Sequence, residues 1–211
     1  GDYCPVLVKT REGRPIKIEG NDLSPITGGG TSARAQASVL SLYDTSRLSG
    51  PKMKSGYSWK DTDLAEVDKL MATTLPASTG IRIVTNTLMS PTAKRALGEF
   101  ATKYPNAKVV TYDPVSASAL LDANAKNFGQ RVVPSYKFDK AEVIVSFGAD
   151  FLGTWISPIE YAAQWAETRR LSSAKGGKKT MSRHYQFETG MSMTGANADY
   201  RGMFKPSQEG T

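Results

Sequence analysis

The side chains in this sequence that could do chemistry are few and far apart. Cys4 is the single thiol and His184 the single imidazole. One thiol excludes an internal disulfide and an all-cysteine zinc site within the chain, and one imidazole excludes a dense histidine-based metal centre. As a plain residue, Cys4 reads either as a small buried side chain or as a reactive thiol. The reactive reading needs neighbouring cations to lower its pKa, and the sequence sets none beside it. His184, flanked by Arg183 and Tyr185, reads as a surface or interface residue. Without a placed carboxylate or nucleophile it is no general base. Asp150, Glu160 and Glu188 are scattered singly, so no carboxylate pair stands at catalytic spacing. These residues specify no catalytic group and no metal ligand set.

A glycine-flanked run, Gly148-Ala149-Asp150-Phe151-Leu152-Gly153, follows an apolar stretch and invites a phosphate-loop reading. Thr154-Trp155 stands where such a loop needs Lys then Ser or Thr, and the dinucleotide spacing Gly-x-Gly-x-x-Gly is missing. The run is therefore expected as a tight strand-to-loop turn at the carboxyl edge of a sheet. Trp155, Trp165, Met191 and Met193 could line a groove, but core packing is the commoner fate of such side chains.

The elements that must position these residues follow from periodicity. Val6 to Thr10 and Pro15 to Glu19 alternate around the turn Arg11-Glu12-Gly13, predicting a hairpin packed through Val8, Ile16 and Ile18. Gly28-Gly29-Gly30 begins a flexible stretch, and Ala33 to Leu42 is Ala-rich and helical for a turn or two. Ser49 to Ser55, rich in turn formers, predicts a linker. Ser58 to Thr73 predicts a helix with Leu64, Val67, Leu70 and Met71 on one face. Strands are expected at Ile81 to Thr85, Lys108 to Tyr112 and Glu142 to Phe147. Each precedes a helix with proline near its first turn: at Ser90-Pro91, at Asp113-Pro114 (ending at Gly129), and at Ser157-Pro158 with Ile159, Ala162, Ala163 and Ala166 inward. Beyond Ser172 the pattern is least regular. Unbroken Val-Ile-Val runs suit parallel strands covered on both faces.

The fold class predicted is α/β: a small β-rich N-terminal region, then a doubly wound, mostly parallel sheet with helices on both faces. The domain expectation is a β-rich region at 1–49, a linker at 50–56 and an α/β domain at 57–211.

The chain has 211 residues, 39% hydrophobic and 22% charged, a soluble and globular balance. No apolar run approaches the ~20 residues of a membrane span. The sequence begins at Gly1 with no basic-then-apolar leader, so targeting information is expected upstream. A net charge of +7 calls for a solvated basic face or an acidic protein partner. Nucleic acid is not expected as a partner, since no Lys/Arg stripe is interleaved with aromatics.

Taken together, these stretches resemble the front of the molybdopterin oxidoreductase family. Val6 to Gly20 is similar to the family's strand–turn–strand segment after a cluster cysteine, with Cys4 at the cysteine. Thr31-Ser32-Ala33-Arg34-Ala35 resembles the later segment in which another cluster cysteine is followed, two residues on, by a basic residue. Ser32 stands at that cysteine and Arg34 at the relay-like basic position between cluster and pterin. Leu42 to Leu48 and Tyr57-Ser58-Trp59 match further landmarks in order. The resemblance makes Cys4 and Ser32 vestigial cluster positions, a third reading for Cys4. Thiolates are what such clusters require, and a serine alkoxide is a poor soft ligand.

Within the family, Gln36 to Asp44, Val145 to Phe151 and Thr194 to Tyr200 are similar to the molybdopterin-like large subunits of bacterial alternative complex III. That likeness implies a cofactor-free scaffold within a quinol-oxidising respiratory complex at the periplasmic face of the inner membrane. It implies iron–sulfur clusters elsewhere in a longer subunit, and neighbouring haem and quinol-binding subunits as partners. The alternative is a fragment of an active molybdopterin-dependent oxidoreductase. Tyr185 to Thr189 and Pro206 to Glu209 depart from the family's cofactor loops, which argues against pterin binding and for the scaffold.

Overall fold

A computed structural model describes residues 3–170 and 180–210. In chain order the elements are β1 (Val6–Arg11), β2 (Arg14–Gly20), α1 (Ala33–Ala37), β3 (Lys52–Ser55), β4 (Ser58–Asp61), α2 (Leu64–Ala77), β5 (Ile81–Thr85), α3 (Pro91–Lys103) and β6 (Ala107–Thr111). They continue with α4 (Ser118–Phe128), β7 (Val143–Phe147), α5 (Pro158–Glu167), β8 (Arg183–Glu188), α6 (Met193–Ala196) and β9 (Tyr200–Met203). The architecture is α/β, with small antiparallel strand pairs near the N-terminus followed by parallel sheets flanked by helices.

The described chain divides into two compact units, residues 40–116 and residues 3–39 with 117–210. In the first, β3 and β4 form an antiparallel hairpin. The segment 50–56, expected as a linker from its Gly and Pro content, carries β3 and the turn at Gly56 (φ +62°). The helix expected from Ser58 starts later: Ser58–Asp61 pairs as β4, and Asp63 caps α2 through the backbone N–H of Glu66 at 2.8 Å. Strand pairing thus claims residues that periodicity alone would give to the helix. β5 and β6 pair in parallel from Ile81↔Ala107 to Thr85↔Thr111. Ser90 caps α3 with Pro91 at its first position, as the sequence predicts.

The second unit holds the β1–β2 hairpin and the parallel sheet β7–β8–β9. Of the three residues expected to pack the hairpin, only Ile18 is buried; Val8 and Ile16 stay half exposed. The turn at Gly28 and Gly29 runs through positive φ. A Cβ at Gly30 would press on Thr27 O and on Ile159 Cγ2 of α5, so the glycine run here is a close-packing device. α4 begins at Ser118, four residues past Pro114, and ends at Gly129 in the left-handed conformation (φ +68°).

The main core lies between the sheet and α5. Ile144, Phe151 and Tyr161 form its centre, with Tyr136, Phe138, Trp155 and Trp165 packed around them. Phe138 stacks on Phe151 at 4.4 Å, and Tyr161 meets Phe138 edge-on at 5.1 Å. The stretch beyond Ser172, read as irregular, contains the central strand β8 and its neighbour β9. Its Gly176-Gly177-Lys178-Lys179 portion lies outside the described residues.

Candidate functional site

Parallel α/β sheets place their sites at the carboxyl ends of the strands. In the second unit that edge is built from the loop after β7, the loop after β8 and α6. β7 ends in Gly148, whose φ of +63° turns the chain sharply, and its N–H donates to Phe187 O at 2.8 Å. This is the tight turn that the Gly148 to Gly153 run predicts. Ile156 also holds a positive φ (+57°), an uncommon state for a β-branched residue.

Asp150 fastens this edge. Its Oδ1 accepts from the backbone N–H of Thr194 at 3.0 Å and from its hydroxyl at 2.8 Å. Its Oδ2 accepts from the Thr154 hydroxyl at 3.1 Å, and Thr194 Oγ1 in turn accepts from the Leu152 N–H at 2.9 Å. Glu188, 3% exposed at the end of β8, is held from three sides. The Ser192 N–H and hydroxyl donate to it at 3.1 and 2.6 Å, and Arg201 Nε of β9 at 2.6 Å. Burial alone would raise the Glu188 pKa. The Ser192 hydroxyl and the Arg201 guanidinium outweigh it and hold the carboxyl below its ordinary value. A Cβ at Gly195 would collide with the Glu188 carboxylate, so α6 approaches that group too closely for any side chain. Two carboxylates that look isolated in sequence therefore fasten the same short helix.

A second polar group sits at the opposite end of β8. Asp199 receives Arg169 NH2 at 2.6 Å on Oδ1 and NH1 at 2.9 Å on Oδ2. Its Oδ2 also accepts the backbone N–H of His184 at 2.8 Å. The Arg169 fork is the main reason the Asp199 carboxyl is lowered to about 2. His184 is not a surface residue: it is fully buried, as is Gln186 on the same strand face. Burial pushes the imidazole pKa down, against Gln186 and Asp199 and reinforced by Arg169. Among the described residues no hydrogen-bond partner reaches either ring nitrogen of His184 or the amide of Gln186.

Cys4 and Ser32, the positions that the resemblance assigns to a cluster, lie near one another only through Thr31. Cys4 Sγ lies 3.5 Å from Thr31 Oγ1, one residue from Ser32. Ser32 caps α1, its Oγ accepting from the Ala35 N–H at 3.1 Å. Arg34 lies exposed on α1. This donor set does not fit an iron–sulfur cluster: it holds one thiol, and the hydroxyl at the second position is spent on the helix cap. Among the described residues no three His, Cys, Asp or Glu side chains group as metal ligands.

Sequence reasoning missed β8 and with it the polar core. The run Arg183 to Glu188 alternates cleanly, but its aromatic residues Tyr185 and Phe187 suggest an inward face opposite to the one buried. The available signal was the alternation itself.

The fold is that of an α/β sheet protein whose strand-end loops are tied together by their own side chains. No family model matches the chain. A curated relative, the menaquinone reductase molybdopterin-binding-like subunit of Nitratidesulfovibrio vulgaris, is 33% identical over 79 residues. The match covers 33% of this chain and 11% of the relative's length. It supports a molybdopterin oxidoreductase-like relationship.

Proposed function

We propose that this chain is a cofactor-free scaffold segment of a quinone-linked respiratory electron-transfer complex, of the quinol-oxidising alternative complex III type. The observation that carries this reading is the self-filled carboxyl edge of β7–β8–β9. A pterin cofactor with a phosphate group needs donors and cations converging on open space there. Here Asp150 and Glu188 bring two carboxylates to that edge, and both are consumed in fixing α6. The lone Cys4 and the capped Ser32 agree with loss of a cluster from the same framework. The relative's name supplies the quinone link.

On this reading the iron–sulfur clusters sit elsewhere in a longer subunit. The chain supports neighbouring haem and quinol-binding subunits at the periplasmic face of the membrane. Its basic surface, from a net charge of +7, serves as a docking element for them. Among the described residues no helix is long and apolar enough to cross a membrane.

The test is the molybdenum and pterin content of the purified protein that contains this chain. The expected result is neither above background. Stoichiometric molybdopterin retained by the region 1–211 would overturn the reading and make this chain a wall of an active molybdopterin-dependent oxidoreductase.

A further inference from the structure

His184 stands at the junction of three elements. Its ring packs 5.2 Å from Phe151 after β7 and edge-on at 6.3 Å to Trp165 of α5. Its main chain exchanges hydrogen bonds with Asp199, the N–H going to Oδ2 at 2.8 Å and the carbonyl accepting the Asp199 N–H at 3.0 Å. Arg169, just past α5, grips Asp199, donates to Ser182 O at 2.7 Å and lies 4.7 Å over the Trp165 ring. The ring therefore fills the space where α5, β8 and the segment entering β9 are tied together.

A neutral ring costs less in that space than a charged one. Imidazolium is a donor at both nitrogens; the Gln186 side chain beside the ring favours that proton, but burial outweighs it, and among the described residues no well-formed hydrogen bond reaches either nitrogen. A buried donor without an acceptor, carrying charge besides, is costly. The charged groups around it do not relieve this. Arg169 faces the ring as a cation from the end of α5. Asp199 faces it from the segment before β9 but is already neutralised by Arg169. On β9, Arg201 is paired with Glu188. On α5, burial and the neighbouring Glu160 raise the Tyr161 pKa, so its hydroxyl stays neutral. The inward residues of β7, Ile144 and Ser146, carry no charge.

We propose that His184 is an acid-operated latch: neutral, it locks the end of α5 onto β8; protonated, it draws water in and releases that helix end. This device goes beyond the scaffold reading and does not rest on it. The folded ring binds its proton less readily than an unfolded one, whose value is near 6.5. Between 6.5 and the lower folded value the unfolded chain holds more protons. Stability therefore falls as pH drops through that window, is fully present above it, and loses nothing more from this group below the folded value.

Because the chain has one histidine, its imidazole C2–H signal is unambiguous in a proton NMR titration. Tryptophan emission is followed over the same pH series, with Trp165→Phe assigning the Trp165 share. The latch predicts a ring midpoint below 6.5 and, at the same midpoint, a red shift of Trp165 emission. His184→Phe should remove that emission step. A midpoint at or above 6.5, or a low midpoint without any change at Trp165, overturns the proposal on the native chain alone, whether or not His184→Phe folds.

Discussion

Asp150 and Thr194, 44 residues apart in sequence, meet through two hydrogen bonds on one carboxylate oxygen. Thr194 is fully buried, and its hydroxyl both donates to Asp150 and accepts from Leu152. The contact ties the loop after β7 to α6 beyond β8, and so closes the strand-end crevice from within.

Thr194→Val keeps the side-chain shape and deletes the hydroxyl. It leaves the Leu152 N–H without its acceptor and removes one donor from Asp150. A loss of about 1–3 kcal/mol is expected in urea denaturation. Thr194→Ser, which restores the hydroxyl, should recover most of it. A full loss in Thr194→Ser with none in Thr194→Val would show that the methyl group and not the hydrogen bonds holds this edge.

The pair Glu188–Arg201 is buried on the carboxylate side and largely so on the guanidinium side. Arg201→Met would strand a carboxylate in the core, at a cost of roughly 3–5 kcal/mol. Glu188→Gln in the Arg201→Met background should return much of that stability, because a neutral amide needs no counter-charge. The double-mutant cycle reads this as a coupling energy, and additive effects would deny the link.

How much of this was legible in sequence depends on which residues carried each element. Ser90-Pro91 and Gly129 announced helix ends by chemistry that needs no tertiary context, and they stand where predicted. Ser58–Asp61 became a strand because Lys52–Ser55 is there to pair with it, which local periodicity does not see. β8 was hidden for another reason. Its buried residues His184, Gln186 and Glu188 are polar, and its aromatic residues pair instead on the other face. There Tyr185 stacks on Tyr200 at 4.9 Å, and Phe187 on Phe147 at 5.2 Å. A hydrophobicity rule inverts such a strand. The closed strand-end edge depended on contacts far along the chain, Asp150 to Thr194 among them, which no local pattern shows.

Gly202 on β9 lies under the Phe187 ring, where an added Cβ would fall within 2.6 Å of Cδ1. Gly202→Ala must displace that ring from its stack with Phe147, at an expected cost of about 1–3 kcal/mol. Gly98, where an added Cβ would meet open space, offers the control: Gly98→Ala in α3 should be neutral or stabilising by up to about 1 kcal/mol. Thermal melts of the two variants should therefore move apart.

Asp199 governs a more acidic window than His184. Its carboxyl titrates at about 2 in the fold against 3.8 in the unfolded chain. Its share of stability is complete above 3.8 and is lost as pH falls through about 2. Asp199→Asn should cost roughly 2 kcal/mol at neutral pH and flatten the stability profile across that window. A variant that keeps the same slope between pH 4 and 2 would show that another carboxylate carries it.

Ser32→Cys would place a second thiol at the position that the family resemblance assigns to a cluster ligand. Two thiols still fall short of the four that a cluster takes. The substitution also replaces an N-cap hydroxyl with a poor acceptor, so the Ala35 N–H loses its partner and the first turn of α1 frays. The expected outcome after anaerobic iron and sulfide reconstitution is no visible charge-transfer absorbance, with a stability loss of about 1 kcal/mol. A stable iron-linked absorbance band in this variant would mean that Cys4 and residue 32 still frame a competent site. The chain would then have lost its cluster through one substitution, with the surrounding fold unchanged.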